Sequence, residues 1–334
     1  MTTRHELTLS ETARGERLDV VLARELNLSR SQVALRVEAG EVWLRGRPAR
    51  KAGERLRGGE QVVVTLPPPP PSVAEPEDLP LSIVYEDAHL IIVDKAASMV
   101  VHPSPGHDRG TLVNALVHRY GALAEPTSTA DGRPRPGIVH RLDRGTSGLM
   151  VVARDVVTRD GLTRAIARRT MKRSYVAVVL GTRLEDAVRI ETLYARHPTE
   201  RRRFSSKVEA GKVAVTHVRV LARSRHALLV LCQLETGRTH QIRVHLADRG
   251  YAVAGDPLYG HPPFFSGPEA VAVQRLERQA LHSARLEVTH PVLGTALDVT
   301  APLPTDLARL VGTLFGSDWV ARFAAGEVRF DAPT

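Results

Sequence analysis

Apolar residues fall into two regions with different rhythms, separated by a run of prolines. In the first, Leu18, Val21, Leu22 and Leu26 recur at helical spacing, which predicts a helix with one buried face. A second helix is predicted through Val33, Leu35 and Val37, with Ser29 or Ser31 as its cap and Gly40 as its end. Residues 41–44, a turn at 45–48 and the β-branched run 61–65 predict a hairpin-like β part. Leu66-Pro-Pro-Pro-Pro-Pro71 then interrupts all periodicity, as a semi-rigid polyproline II spacer does. The expected organisation is a small α/β unit at 1–65, a proline-rich linker at 66–80, a large domain at 81–320 and a C-terminal tail at 321–334.

Beyond the linker, strands are predicted at 82–85, 90–93, 149–153 and 175–180, with an antiparallel pair at 213–221 and 227–234. Helices are predicted at 111–120, over the basic stretch 160–170, and from the segment 237–247 to Gly250. The elements alternate irregularly. This pattern predicts an α+β fold, with a mixed, largely antiparallel central sheet flanked by helices, rather than a doubly wound one.

Composition narrows the function. The 334-residue chain carries a formal charge of +9, which favours polyanionic partners. Cys232 is the only cysteine, so intramolecular disulfides are excluded and a reducing, cytoplasmic setting is expected. The 14 histidines show no zinc-ligand spacing, so neither a metal nor a cofactor is expected. No apolar stretch is long enough for a membrane span, and a monomer is the expected state.

The most informative stretch is Gly137-Ile-Val-His-Arg-Leu-Asp-Arg-Gly-Thr-Ser-Gly-Leu-Met-Val-Val-Ala153. A single carboxylate, Asp143, lies between Arg141 and Arg144 in a glycine-bearing turn. The β-branched runs on both sides read as buried strands. Such a turn can present a catalytic group rigidly. A second polar motif is Leu234-Glu-Thr-Gly-Arg-Thr-His-Gln-Ile-Arg-Val-His-Leu246, and Tyr175 opens a strand after Lys172-Arg-Ser174.

These motifs together resemble the RluA-type RNA pseudouridine synthases from about Leu81 to Leu310. The resemblance implies Asp143 as the catalytic aspartate, Arg243 as its cationic partner and Tyr175 as the active-site tyrosine on the target base. It implies RNA-binding roles for Arg141, His140, Arg238, His240 and Gln241, with Arg141 filling the space of a flipped-out uridine. Val100-Val-His-Pro-Ser-Pro-Gly106 and Gly110-Thr-Leu-Val-Asn-Ala-Leu116 are most similar to the branch that modifies a hairpin loop of large-subunit rRNA. The chain departs from the family at Gly145, where an acidic residue is common, and at Thr146-Ser147, where this branch often has Thr-Thr. The first region resembles the S4 RNA-binding domain, and that resemblance implies phosphate contacts from arginines including Arg30, Arg36 and Arg47. The competing reading is an S4-bearing ribosome-assembly factor with an inactive catalytic domain; a zinc deaminase lacks its His/Cys set.

Overall fold

The computed structural model describes residues 3–26, 28, 30–66, 74–103, 108–121, 123–124 and 136–330. The described residues form two compact units, 3–66 and those from 74 onward. The prolines at 67–71 and the Ser29 cap lie outside the described residues, as does the Ser31 side chain.

The first unit is a four-stranded antiparallel sheet with two helices. Its elements are β1 (Thr3–Thr8), α1 (Leu18–Glu25), α2 (Arg30–Glu38), β2 (Val42–Leu44), β3 (Arg47–Pro48) and β4 (Gln61–Leu66), in sheet order β1-β4-β2-β3. The helical spacing of Leu18, Val21 and Leu22 buries all three, against Val42, Leu44, Val62 and Val64 of the sheet. Sequence reading passed over β1, because its Arg-His-Glu-Leu run is polar. It pairs with β4 through all six residues, which only the ladder reveals.

The second unit is built on one ten-stranded sheet. Its strands are β5 (Ser82–Glu86), β6 (Leu90–Lys95), β7 (Ser147–Ala153), β8 (Lys172–Leu180), β9 (Ala187–Arg196), β10 (Phe204–Ser205), β11 (Lys212–Arg223), β12 (Ala227–Leu234), β13 (Leu281–Thr289) and β14 (Ala296–Thr300). The order is β10-β9-β11-β12-β8-β13-β7-β6-β5, with β14 on β13. Only β13–β7 is parallel; the other pairings are antiparallel. The helices are α3 (Leu112–Tyr120), α4 (Val156–Ala167), α5 (Gln241–Asp248), α6 (Pro268–Gln274), α7 (Thr305–Phe315) and α8 (Ser317–Ala324). The fold is therefore the expected α+β arrangement. All of β7 and the residues after Lys172 in β8 are buried, which explains their uninterrupted apolar character: both faces of the central sheet are covered.

Several boundaries differ for local reasons. α4 starts at Val156, earlier than expected, because the Asp155 carboxylate accepts from Thr158 N at 2.8 Å and caps the helix. The run before Asp143 is not a strand: Gly137, at φ 69°, turns the chain, and only Ile138 bridges to Val152. Within the expected C-terminal tail, residues 321–330 pack on the second unit. Val328 and Phe330 are buried in the main core, and Gln233 Nε2 donates to the Phe330 carbonyl. Among the described residues, no helix is long and apolar enough to cross a membrane.

Candidate active site

The loop between Ile138 and β7 places Asp143 just before the start of β7, an interior strand of the sheet. Thr146 N donates to the Asp143 carbonyl at 3.0 Å, closing a tight turn. Three side chains from elsewhere hold that turn. Lys95 Nζ, at the end of β6, reaches the Arg144 carbonyl at 3.5 Å while donating to Ala96 O and Met99 O at 2.8 and 2.9 Å. Arg278 Nη1 donates to the Gly145 carbonyl at 3.1 Å, and Gln279 Nε2 donates to Thr146 Oγ1 at 3.0 Å. Arg278 is itself fixed by two hydrogen bonds to Asp306. Gly145 fits this packing: a Cβ there would lie 2.3 Å from Gln279 Oε1. The departure from the family at this position leaves room for the Gln279 side chain.

Asp143 faces a buried cation. Arg243 Nη1, on α5, donates to Asp143 Oδ2 at 2.9 Å. Its other edge is gripped by Asp256, through Nε–Oδ2 at 2.6 Å and Nη2–Oδ1 at 2.8 Å. The Arg243 side chain is 6 % exposed and that of Asp256 0 %. Asp256 Oδ1 also accepts from the Leu258 and Tyr259 amides, and the Tyr259 ring lies 5.1 Å from the Arg243 guanidinium carbon. Burial pushes the Asp256 carboxyl pKa up, but the hydrogen bonds and charge of Arg243 more than offset it and hold it below the ordinary value. Burial alone lowers the Arg243 pKa; Asp256 and Asp143 reverse this and raise it. The guanidinium is thus permanently charged and aimed by Asp256, with one edge left for Asp143.

The other expected residues divide sharply. Asp143, Arg243, His240 and Arg141 line one cavity of about 1220 Å³, together with Lys95, Arg278 and Gln279. Tyr175 is 4 % exposed and lines an adjoining cleft with Asp143, Leu234 and Arg238. Burial raises its hydroxyl pKa, so it stands neutral. His240 Nε2 is 3.9 Å from Asp143 Oδ1. Its backbone is left-handed at φ 60°, and its Nδ1 is 2.9 Å from the Tyr259 hydroxyl. Arg141 is exposed at the mouth, with Nη1 3.5 Å from His102 Nε2.

Two residues expected on the RNA face inward instead. Gln241 is 2 % exposed, donates to Val215 O and Thr216 Oγ1, and accepts from Arg238 N and Thr236 Oγ1. Its Nε2 joins α5 to β11, and its Oε1 holds the loop that precedes α5. His140 Nε2 accepts from Val151 N at 3.1 Å, so this ring ties the Asp143 loop to β7. In the first unit, Arg30 is held by the buried Asp19 at 3.0 Å and Arg36 by Glu41 at 2.8 Å. Arg47 is exposed and forms no ion pair among the described residues.

Sequence reading assigned no role to Asp256, Tyr259, Lys95 or Arg278, although the segment 255–260 resembles one of the family's. The Gly255-Asp-Pro-Leu-Tyr-Gly260 segment was a visible signal, since its Asp-Pro turn places a carboxylate beside a tyrosine. Nothing in sequence linked it to Arg243.

The chain matches the RNA pseudouridylate synthase family over residues 89–248 and the S4 domain over 16–62. It is 40 % identical, over 92 % of each chain, to ribosomal large subunit pseudouridine synthase D of Xanthomonas campestris pv. campestris. The chain belongs to the RNA pseudouridylate synthase family. The pseudouridylate synthase of the same description from Nitrosomonas europaea is 43 % identical over 92 % of this chain and 86 % of its own. That of Escherichia coli (strain K12) is 38 % identical over 91 % and 92 %. Among solved structures, human RNA Pseudouridylate Synthase Domain Containing 1 superposes with a TM-score of 0.53 at 25 % identity, covering 76 % of this chain and 97 % of its own. This pseudouridylate synthase is an isomerase, with an S4 domain preceding its catalytic unit.

Buried histidines are expected to make the pseudouridylate synthase sensitive to acid. Burial lowers the pKa of His245 and His282 to about 4 and that of His140, with help from the Arg173 charge, to about 3. Each is neutral when folded and has a folded pKa below the ordinary 6.5. Their contribution to stability is therefore complete above pH 6.5 and is lost as the pH falls from 6.5 toward 4. The melting temperature should be level from pH 8 to 6.5 and decline below that. A level melting temperature down to pH 5 would contradict the assignment.

Proposed function

We propose that this enzyme isomerises uridines of large-subunit rRNA, in a hairpin loop, as a cytoplasmic monomer and with Asp143 as the reacting carboxylate. The observation that carries this reading is the Arg243–Asp143 contact at 2.9 Å on the wall of a cavity large enough for a nucleoside. Relatives that span 92 % of the chain and are named for the large subunit support the choice of RNA.

Pseudouridine formation breaks the N1–C1′ bond, turns the base and joins C5 to C1′, with no net redox change. A carboxylate starts this by attacking the nucleoside or by removing a sugar proton. Arg243 sets a fixed positive charge against that carboxylate at 2.9 Å. Tyr175, neutral and buried beside the loop, offers a ring for the base to stack on. Arg141, at the mouth, is placed to fill the gap left in the RNA by the flipped nucleotide.

The test is release of tritium from large-subunit rRNA transcribed with 5-tritiated uridine. Release establishes the isomerase on this RNA. No release from naked rRNA or ribosomal particles would leave a binding or assembly role. Removing residues 1–65 should raise KM or broaden site choice while turnover at saturating RNA persists, because phosphate contacts position the RNA rather than perform the chemistry. Loss of all turnover in the truncated protein would refute this division of labour.

A further inference from the structure

Arg173 is a buried cation for which the fold supplies no counter-charge. The residue is 4 % exposed and its Nε has no hydrogen-bond partner. No ion pair joins it to any described residue. The other arginines buried this deeply among the described residues are Arg243 and Arg278; the first is gripped by Asp143 and Asp256, the second by Asp306. A guanidinium removed from water without a partner is unfavourable, so its place in the fold calls for a reason.

The surroundings supply one. Arg173 and Tyr175 are alternate residues of β8 and share a face, roughly 6–7 Å apart along the strand. Arg173 pairs with Leu286 and Tyr175 with Cys232 and Ser283. Arg173 Nη1 lies 2.9 Å from where a Cβ on Gly237 would stand, and Gly237 is exposed. The guanidinium tip therefore comes up just under the surface, at the loop that delivers Arg238 and His240 to the cleft beside Asp143. His140 adds a second orphan: its Nε2 accepts from Val151, so its proton sits on Nδ1, which is buried and without a partner. Nearby surface cations are already engaged. Arg169 pairs with Glu235 and Lys172 with Glu287.

We propose that Arg173 binds a backbone phosphate of the RNA strand beside the target uridine, so that substrate completes a charge pair the free enzyme leaves open. RNA carries a phosphate at every nucleotide, and the flipped base enters the adjoining cleft between Tyr175 and Asp143. A carboxylate next to Arg173 would compete with that phosphate, and none is present among the described residues. The proposal rests on RNA as substrate, as argued above.

The experiment compares wild type, Arg173→Met and Gly237→Ala. Dissociation constants for a large-subunit rRNA transcript are taken across a salt series, with KM, kcat and melting temperature alongside. Loss of one phosphate contact reduces the slope of log affinity against log salt by about 0.7–0.9. KM for Arg173→Met is expected to rise roughly tenfold or more, with kcat within about threefold. The melting temperature of free Arg173→Met is expected to equal or exceed that of wild type, because an unpaired buried charge is removed. Gly237→Ala keeps the charge but pushes the guanidinium aside, and is expected to raise KM in the same direction. Unchanged KM and salt slope in Arg173→Met, or a fall in its melting temperature with KM unchanged, would make Arg173 structural and overturn the proposal. If Arg173→Met does not fold, Gly237→Ala decides alone, and an unchanged KM overturns it. Wild-type turnover of the transcript is read separately: its absence removes the large-subunit reading, while the salt slope still reports on the phosphate contact.

Discussion

Replacing Asp143 with Asn is expected to lower kcat at least about a thousandfold while RNA affinity stays within about threefold. Asn has nearly the same shape, so the turn closed by Thr146 N and held by Lys95, Arg278 and Gln279 should persist. What disappears is the negative charge facing Arg243 Nη1, and with it the group proposed to attack or deprotonate the nucleoside. Affinity survives because phosphate contacts made elsewhere dominate it. Tritium release and filter binding on the same protein preparation check both halves. A large loss of affinity would mean that Asp143 holds the RNA rather than reacts with it, and residual turnover within tenfold of wild type would move the chemistry to another group.

The second large effect is expected at Asp256, which touches Arg243 rather than the substrate. Asp256→Ala removes a fully buried carboxylate that takes two hydrogen bonds from Arg243 and two from backbone amides. Breaking a buried pair from one side costs about 3–5 kcal/mol, which corresponds to a fall in melting temperature on the order of 10 °C for a domain of this size. Arg243 also loses the group that aims it, so kcat should fall with stability while KM changes less. Thermal melts and steady-state kinetics test this. A melting temperature within a degree or two of wild type would show that the Arg243–Asp256 pair contributes little.

Both predictions depend on a constellation drawn from distant parts of the chain: Lys95 on β6, Asp143 before β7, Arg243 on α5, and Asp256 and Arg278 in later loops. Sequence reading singled out Asp143 from its polar turn between apolar runs, and Arg243 through the family resemblance of the second motif. It reached neither Lys95 nor Arg278. An isolated lysine ending a strand looks like a surface residue, and only burial against Ala96, Met99 and Arg144 carbonyls changes that. Burial also holds the Lys95 pKa down to about 7, the Asp143 charge opposing it. Gln241 illustrates the converse. It stands in the middle of the second motif, yet its amide is consumed in packing α5 on β11.

By itself the sequence pointed to the two-part organisation, the α+β class, a polyanionic partner and a lone carboxylate, Asp143, as the candidate for the chemistry. Those features rest on local rules: periodicity, a proline break, net charge, and a polar turn between apolar runs. The tertiary structure decided which cations are available and which are spent. Arg30, Arg36, Arg243 and Arg173 look alike in sequence; the first two are paired at the surface of the small unit, the third is clamped between two carboxylates, and the fourth is left without one. The reason is that a charge's role depends on the burial and counter-charges within a few ångströms of it, and the fold brings those neighbours in from as near as Glu41 beside Arg36 and from as far as Asp143, one hundred residues before Arg243.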